Sequence, residues 1–499
     1  MSLALERPVF PGQEPRAWRR IALKLSVPAG VALIGAFWGF VVAVADLNAL
    51  YLAASLIGCI FVLRDFRIGV VLLILLMPIS STSIFPRTML GITGLSPVSL
   101  LLAGTLGSYV LHALFDGSLR RFMPRPLFWL YLVPILIGGA MGAAHVGDIA
   151  PVLLMDKKLS VKPESTYISS QIIYPLLMVV FALLVGAAVS RSEKLEKFLI
   201  PTFIAVWVSG LMVIGFVFLS GIGLGELASS TSREFLSALG LHANEWGRIY
   251  AFAYALLLFT WAQSKGSGLR IALLASIAWV VVALILTFSR GSFLGFIVVN
   301  VLFLLWRRDA KTLILFGLLA AVALFALPEA VYDRVTTGFG GSSESEFEGG
   351  PDAISAGRIN YIWLPLLPEV LRSPIYGHGL GSIMWSEAMR RGAGVSIAAV
   401  GHPHNAYLAL LLDLGIPGLI VVCAYFVHVW KGFRALSVDP ALSPSLRGFY
   451  LGAAAGLASL LISYITDSSL LPRPEQVFLW VAIGMMYGQR NRTPAGPGP

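Results

Sequence analysis

Between Leu269 and Trp306 the chain runs almost entirely apolar, with Ser289-Arg290-Gly291 as its one polar, flexible break. As a single helix this stretch would be about 57 Å long at ~1.5 Å per residue. That is nearly twice the ~30 Å hydrocarbon core of a bilayer. The stretch must therefore cross, turn beside Arg290 and cross back. Apolar runs of similar length recur along all 499 residues. Only 12% of residues are charged, 57% are hydrophobic, and mean hydropathy is +0.82. Soluble domains carry about 25% charged residues, so a soluble multidomain protein is excluded.

The expected fold is all-α and polytopic, with about fourteen transmembrane helices. The candidate spans are Val27–Ala45, Leu47–Leu63, Ile68–Ile84, Leu95–Phe115, Leu127–Ala144, Gln171–Val189, Phe198–Leu219, Glu245–Gln263, Leu269–Thr287, Ser292–Trp306, Thr312–Leu327, Ala406–Trp430, Phe449–Thr466 and Glu475–Tyr487. Residues 1–26 and 489–499 form short basic ends, 27–328 hold the first eleven helices, 329–405 one large loop and 406–488 the last three helices. The net charge of +10 lies between the apolar runs, which points to membrane topology and away from nucleic acid. With 1–26 in the cytoplasm, the loops 64–67, 120–125, 191–197, 265–270, 307–311 and 431–447 fall inside, and each carries Lys or Arg. The other loops are poorer in these residues, Asp156-Lys157-Lys158 with Lys162 excepted. Both termini are then cytoplasmic and 329–405 lies outside. No cleavable leader is expected, because the first apolar run is full span length without a cleavage site. Cys59 and Cys423 sit inside apolar runs and read as small core residues.

The loop 329–405 holds eight Asp/Glu against five Arg, and no Lys. Its Gly338–Gly350 part is Gly/Ser/Glu-rich and is expected to be mobile. Ala356–Leu371 suits an amphipathic helix that Pro365 and Pro368 should kink or interrupt. The loop closes on Gly401-His402-Pro403-His404-Asn405, directly before an apolar run.

Several residues could carry chemistry. Arg290 either grips phosphate oxygens with its planar fork or anchors the turn by snorkelling. Arg358, taken alone, reads as a solvated loop charge. His404 can exchange a proton near neutral pH, or it caps a helix beside the better cap Asn405. His402 and His404 could ligate a metal, but no Cys or Glu-x-x-His pattern completes a site. Gly377-His378-Gly379-Leu380-Gly381 lacks the βαβ setting of a nucleotide loop and is read as a close-packed turn. Asp413 lies nine residues beyond His404, about half a turn out of phase on a straight helix. It should therefore bind a neighbouring helix or the kink at Gly415-Ile416-Pro417-Gly418. Arg248 either pairs with Glu245 or joins the same outer site.

His404-Asn405-Ala406-Tyr407-Leu408 followed by Asp413-Leu414-Gly415-Ile416-Pro417-Gly418 resembles the signature of the O-antigen ligase and Wzy-type polymerase superfamily. Ser289-Arg290-Gly291 resembles that family's arginine-bearing turn. Gly357-Arg358 with Trp363 resembles its second arginine, Gly377–Gly381 its glycine run, and Asn244-Glu245 a further recurrent feature. The likeness covers roughly 243–430.

The resemblance implies a GT-C type glycosyltransferase of the bacterial inner membrane, working at the periplasmic face without metal, nucleotide sugar or other cofactor. Its donor would be a glycan on undecaprenyl diphosphate. Arg290 and Arg358 would hold the diphosphate, with Arg248, His402 and Asn405 as further substrate contacts, and His404 would be the general base or help to bind the diphosphate. The acceptor would be another lipid-linked repeat unit in a polymerase, lipid A–core in a ligase, or a protein. About fourteen spans, where twelve are common among the ligases, and the insert Ser342–Glu348 tilt the expectation to an O-antigen or exopolysaccharide polymerase. A flippase and a chain-length regulator are the expected protein partners. A flippase function for this chain itself would need charges along a mid-membrane path, where Asp413 stands nearly alone. A non-catalytic scaffold is the third reading.

Overall fold

The computed structural model describes residues 47–86, 88–89, 92–116, 122–149, 167–223, 231–314, 357–392, 401–466 and 469–492, with positions 35, 36, 39 and 317–318 besides. The chain order is α1 (Leu47–Arg64), α2 (Phe66–Leu76), α3 (Pro97–Asp116), α4 (Arg125–Ala144), α5 (Ser169–Ser190), α6 (Leu195–Ser220) and α7 (Ala243–Gln263). Then follow α8 (Ser267–Ile285), α9 (Arg290–Arg307), α10 (Leu364–Arg372), α11 (Ala406–Ser437), α12 (Pro444–Ser463) and α13 (Val477–Arg490). Among the described residues, eight helices are long and apolar enough to cross a membrane. A two-residue hairpin pairs Thr88–Met89 with Ile92–Thr93.

A helix stands in each expected span that falls within the described residues; Val27–Ala45 and Thr312–Leu327 lie largely outside them, as does Gly338–Gly350. One span is shorter than expected. Helix α2 stops at Leu76 and tightens into a 3-10 turn over Met77–Ile79, where Pro78 has no N–H to continue the ladder. The long apolar run turns as its length requires, but over Leu286–Ser289, so that Arg290 is already the first residue of α9.

Helix α7 forms the centre, buried on every face from Trp246 to Thr260. Two apolar helices in a bilayer gain little from the hydrophobic effect, so close backbone approach must hold them together. Gly448, Gly452 and Gly456 supply it, four residues apart on α12. A Cβ on Gly448 or Gly452 would stand about 2.5 Å from a carbonyl oxygen of α7, Phe259 or Ala255 respectively. Gly484 and Gly488 set α13 against α5 in the same way. Side chains such as Ile137, Leu211, Ile271, Ile297 and Ile420 stand exposed on other faces, as lipid-facing positions do.

Three prolines are absorbed without breaking a helix. Five-residue π-turns at Phe128–Leu132, Ser169–Ile173 and Ile359–Trp363 each end two residues before a proline: Pro134, Pro175 and Pro365. Widening the turn moves the carbonyl that the proline ring would strike. The kink expected at Pro365 is thus replaced by a π-turn running into α10, and Pro368 sits inside α10. The break in α11 is at Gly415, with φ 68° and ψ −175°. The glycine run uses the carbonyls around that break. His378 N–H donates to Leu412 O, Gly379 N–H to Asp413 O and Leu380 N–H to Gly138 O, each at 2.8–2.9 Å. With its N–H groups so occupied, Gly377–Gly381 is a packing turn. Asp413 faces that turn, accepting from Ser382 N–H at 3.0 Å and Ser382 Oγ at 2.6 Å.

Candidate active site at the helix starts

Three helices begin at one place. Asn244 in the first turn of α7 accepts from Ser289 Oγ at 2.9 Å, and Ser289 is the N-cap of α9. His242, the N-cap of α7, is close enough to His404 to act on it electrostatically. His404 directly precedes Asn405, the N-cap of α11. Each helix start presents backbone N–H groups and the positive end of its macrodipole, worth roughly half an elementary charge.

Cations are added to this positive end. Arg290, half-buried, is the first residue of α9. A cation there opposes the dipole, at a cost of roughly 0.3–1 kcal/mol, so the helix gains nothing from it. Gly291 O accepts from Ser463 Oγ at 3.2 Å, which sets the start of α9 against the end of α12. Arg358 approaches the same end, donating from Nη1 to Thr466 O at 3.2 Å. The loop arginine and the turn arginine therefore meet around Ser463–Thr466, although 68 residues of sequence separate them.

His404 sits in a strained turn. Its φ is 52°, a left-handed conformation that costs a residue with a Cβ about 1–2 kcal/mol. Phe288, two residues before Arg290, has φ 47°. Such outliers persist where neighbours over-determine them. Here Trp363 Nε1 donates to Pro403 O at 2.8 Å, and Asn405 Oδ1 accepts from the N–H groups of Tyr407 and Leu408, both at 3.1 Å. Burial, followed by the fields of His402, Arg358 and His242, depresses the His404 pKa to about 2. The imidazole is therefore neutral at physiological pH, and in these surroundings it is a weak base.

Arg358 thus acts on His404 and reaches the end of α12 that the start of α9 also touches, and the other sequence candidates have separate surroundings. The His402 ring lies edge-on to His404, with centroids 4.1 Å apart. Asn405 spends its side-chain oxygen on the helix cap. Arg248 does not pair with Glu245, whose carboxylate instead accepts from His242 N–H at 2.7 Å. Arg248 pairs with Glu475 at 3.4 Å, and both side chains are almost fully buried. Among the described residues no group of three or more His, Cys, Asp or Glu is arranged to hold a metal ion.

Sequence reasoning missed His242, although it lies two residues before the Asn244-Glu245 pair already singled out. It also missed Arg473, which lines a small cavity together with His402. The available signal was a basic residue just before the last span, in a loop expected outside, the same anomaly that drew attention to Arg290.

No curated protein matches the chain. A family model described as O-antigen ligase (Wzy_C) matches residues 274–423, a segment that contains Arg290, Arg358 and His404. Over 274–423 this membrane protein is thus similar to the O-antigen ligase domain, which supports a place in the superfamily of O-antigen ligases and Wzy-type polymerases.

Proposed function

We propose that the chain is a bacterial inner-membrane glycosyltransferase that takes a glycan from undecaprenyl diphosphate on the periplasmic side and polymerises O-antigen or exopolysaccharide repeat units. The observation that carries this reading is the buried His404 imidazole within reach of the Arg358 charge, in a turn that leads into a helix start. In the transfer, His404 takes the proton of the acceptor hydroxyl. The acceptor oxygen bonds to the anomeric carbon as the bond from that carbon to the diphosphate oxygen breaks. The electron pair leaves on undecaprenyl diphosphate, and the carbon inverts. Arg290 and Arg358 hold the diphosphate and stabilise the charge it gains, a contribution typically worth 10²–10³-fold per donor group. The bound diphosphate also offsets the cationic field on His404, so the base gains proton affinity once donor is in place.

The test uses protein reconstituted in bilayers with purified lipid-linked repeat units. Longer glycans and released undecaprenyl diphosphate are expected, and both should be lost in R290A, R358A and H404A. Normal chain growth in all three variants would overturn the proposal. The description of the matched family favours a second reading with the same chemistry, transfer to lipid A–core. Supplying lipid A–core and lipid-linked repeats together shows which acceptor the protein uses.

A further inference from the structure

A cavity of about 470 Å³ opens at the same end of the bundle. Its wall is drawn from several elements: Ser99 at the start of α3, Ser170, Gln171 and Tyr174 at the start of α5, Glu245 in α7 and Arg473 before α13. Gln171, Leu471 and Arg473 also line the smaller cavity that reaches His402 and Pro403. The two spaces therefore adjoin, and together they lead from the large cavity to the turn that carries His404.

The lining chemistry differs from that around Arg290. Apolar side chains such as Met77, Leu102 and Leu241 make up most of the wall, and the polar groups set among them are serine hydroxyls, a carboxamide, two carboxylates and Arg473. Vicinal sugar hydroxyls suit this wall. They donate to a carboxylate or to the Gln171 carbonyl, and they accept from the serines, the Gln171 amide and Arg473. Tyr174, 42% exposed, offers a ring for the apolar face of a pyranose. The volume lies within the ~300–1,000 Å³ of typical ligand pockets.

We infer that this cavity is a saccharide-binding site, which holds sugar rings of a glycan being joined beside His402. The inference rests on the transferase reading for which glycan this is, the acceptor or the sugar portion of the donor. The test uses reconstituted protein carrying Gln171→Trp, which fills the cavity, or Tyr174→Ala, which opens it. The donor probe is lipid-linked repeat unit extracted from producing cells. The acceptor probe is the same oligosaccharide released from its lipid by mild acid. A rise of about tenfold in the KM of the free oligosaccharide in both variants places the acceptor there. The same rise in donor KM, with the inhibition constant of sugar-free undecaprenyl diphosphate unchanged, places the donor's sugars there. Unchanged KM values for both probes, or a parallel loss of affinity for sugar-free undecaprenyl diphosphate, would overturn the site. Equilibrium binding of the free oligosaccharide to wild-type and Gln171→Trp protein reads the cavity without any turnover. Binding that Gln171→Trp abolishes supports the site even if R290A and H404A were to leave transfer intact, a result that sinks only the transferase reading. Equal binding by both proteins counts against the site alone.

Discussion

Arg248 and Arg290 begin as the same sequence signal, an arginine near the start of an apolar helix, and the fold gives them opposite surroundings. Arg248 lies in the second turn of α7, almost fully buried, against the Glu475 carboxylate. Arg290 is the first residue of α9, half-buried, on a helix end that already carries positive potential. One charge is balanced inside the scaffold. The other stands where the starts of α7 and α9 meet, at the end of the bundle that Arg358 and His242 also approach. The contrast teaches that an arginine in a membrane bundle is assigned to structure or to ligand by the sign of what the fold sets around it.

The sharpest way to break this comparison is to remove each charge. Arg248→Met leaves Glu475 buried without its ion-pair partner and should cost about 3–5 kcal/mol of stability. Thermal unfolding in detergent reads that loss. Arg248→Met combined with Glu475→Leu should recover most of it, because an apolar pair of similar volume replaces a buried ion pair at little cost. Failure of the double variant to recover would mean that Arg248 does more than neutralise Glu475. Arg290→Ala should behave the other way, with unfolding temperature retained and transfer reduced about 10²–10³-fold. A large stability loss from Arg290→Ala would collapse the distinction.

Smaller effects sharpen the account of the site. Trp363→Phe removes the hydrogen bond to Pro403 O, worth about 1 kcal/mol, and frees the strained His404 turn. The expected result is a roughly fivefold lower kcat with donor KM little changed, since the guanidinium groups stay in place. An effect confined to donor KM would place Trp363 in binding. The depressed pKa of His404 also has a stability consequence. Its ordinary value is 6.5 and its folded value about 2, so between these pH values the unfolded chain binds more protons. Stability from this group is complete above pH 6.5 and is lost as pH falls towards 2. Thermal unfolding from pH 7 to pH 4 should therefore decline less steeply in His404→Gln than in wild-type protein. Identical slopes would show that His404 is not held neutral.

The helical framework was legible because hydropathy and length leave little freedom in a bilayer. Leu269–Trp306 had to turn, and it turns within a few residues of the expected place. The prolines interrupt the regular α-helix as expected, and the form of the interruption has a physical reason. Pro365 forbids one hydrogen bond of an ordinary α-helix, but a π-turn removes the clash at the cost of a single irregular turn. Only the packed structure shows which solution the chain takes. The grouping of Arg290, Arg358 and His404 into one site comes from the resemblance, since nothing in Arg358 itself separates it from a solvated loop charge. The partners that position these residues were not legible. The Trp363–Pro403 bond and the bond from Arg358 to the Thr466 carbonyl join segments far apart in sequence, and a single sequence carries no record of them. The choice of Glu475 over Glu245 for Arg248 is of the same kind: the nearer acid is engaged by a helix cap, so the buried arginine is neutralised from another helix.

The central claim is that the converging helix starts and their two arginines form a diphosphate site. The most direct measurement is equilibrium binding of sugar-free undecaprenyl diphosphate to reconstituted wild-type, Arg290→Ala and Arg358→Ala protein, with Arg248→Met/Glu475→Leu as the folded control. The account predicts a loss of affinity of about tenfold or more for each single site variant, consistent with a charge-assisted hydrogen bond of roughly 1.5–3 kcal/mol, and near wild-type affinity for the control. Equal affinity in wild-type, Arg290→Ala and Arg358→Ala protein would contradict it.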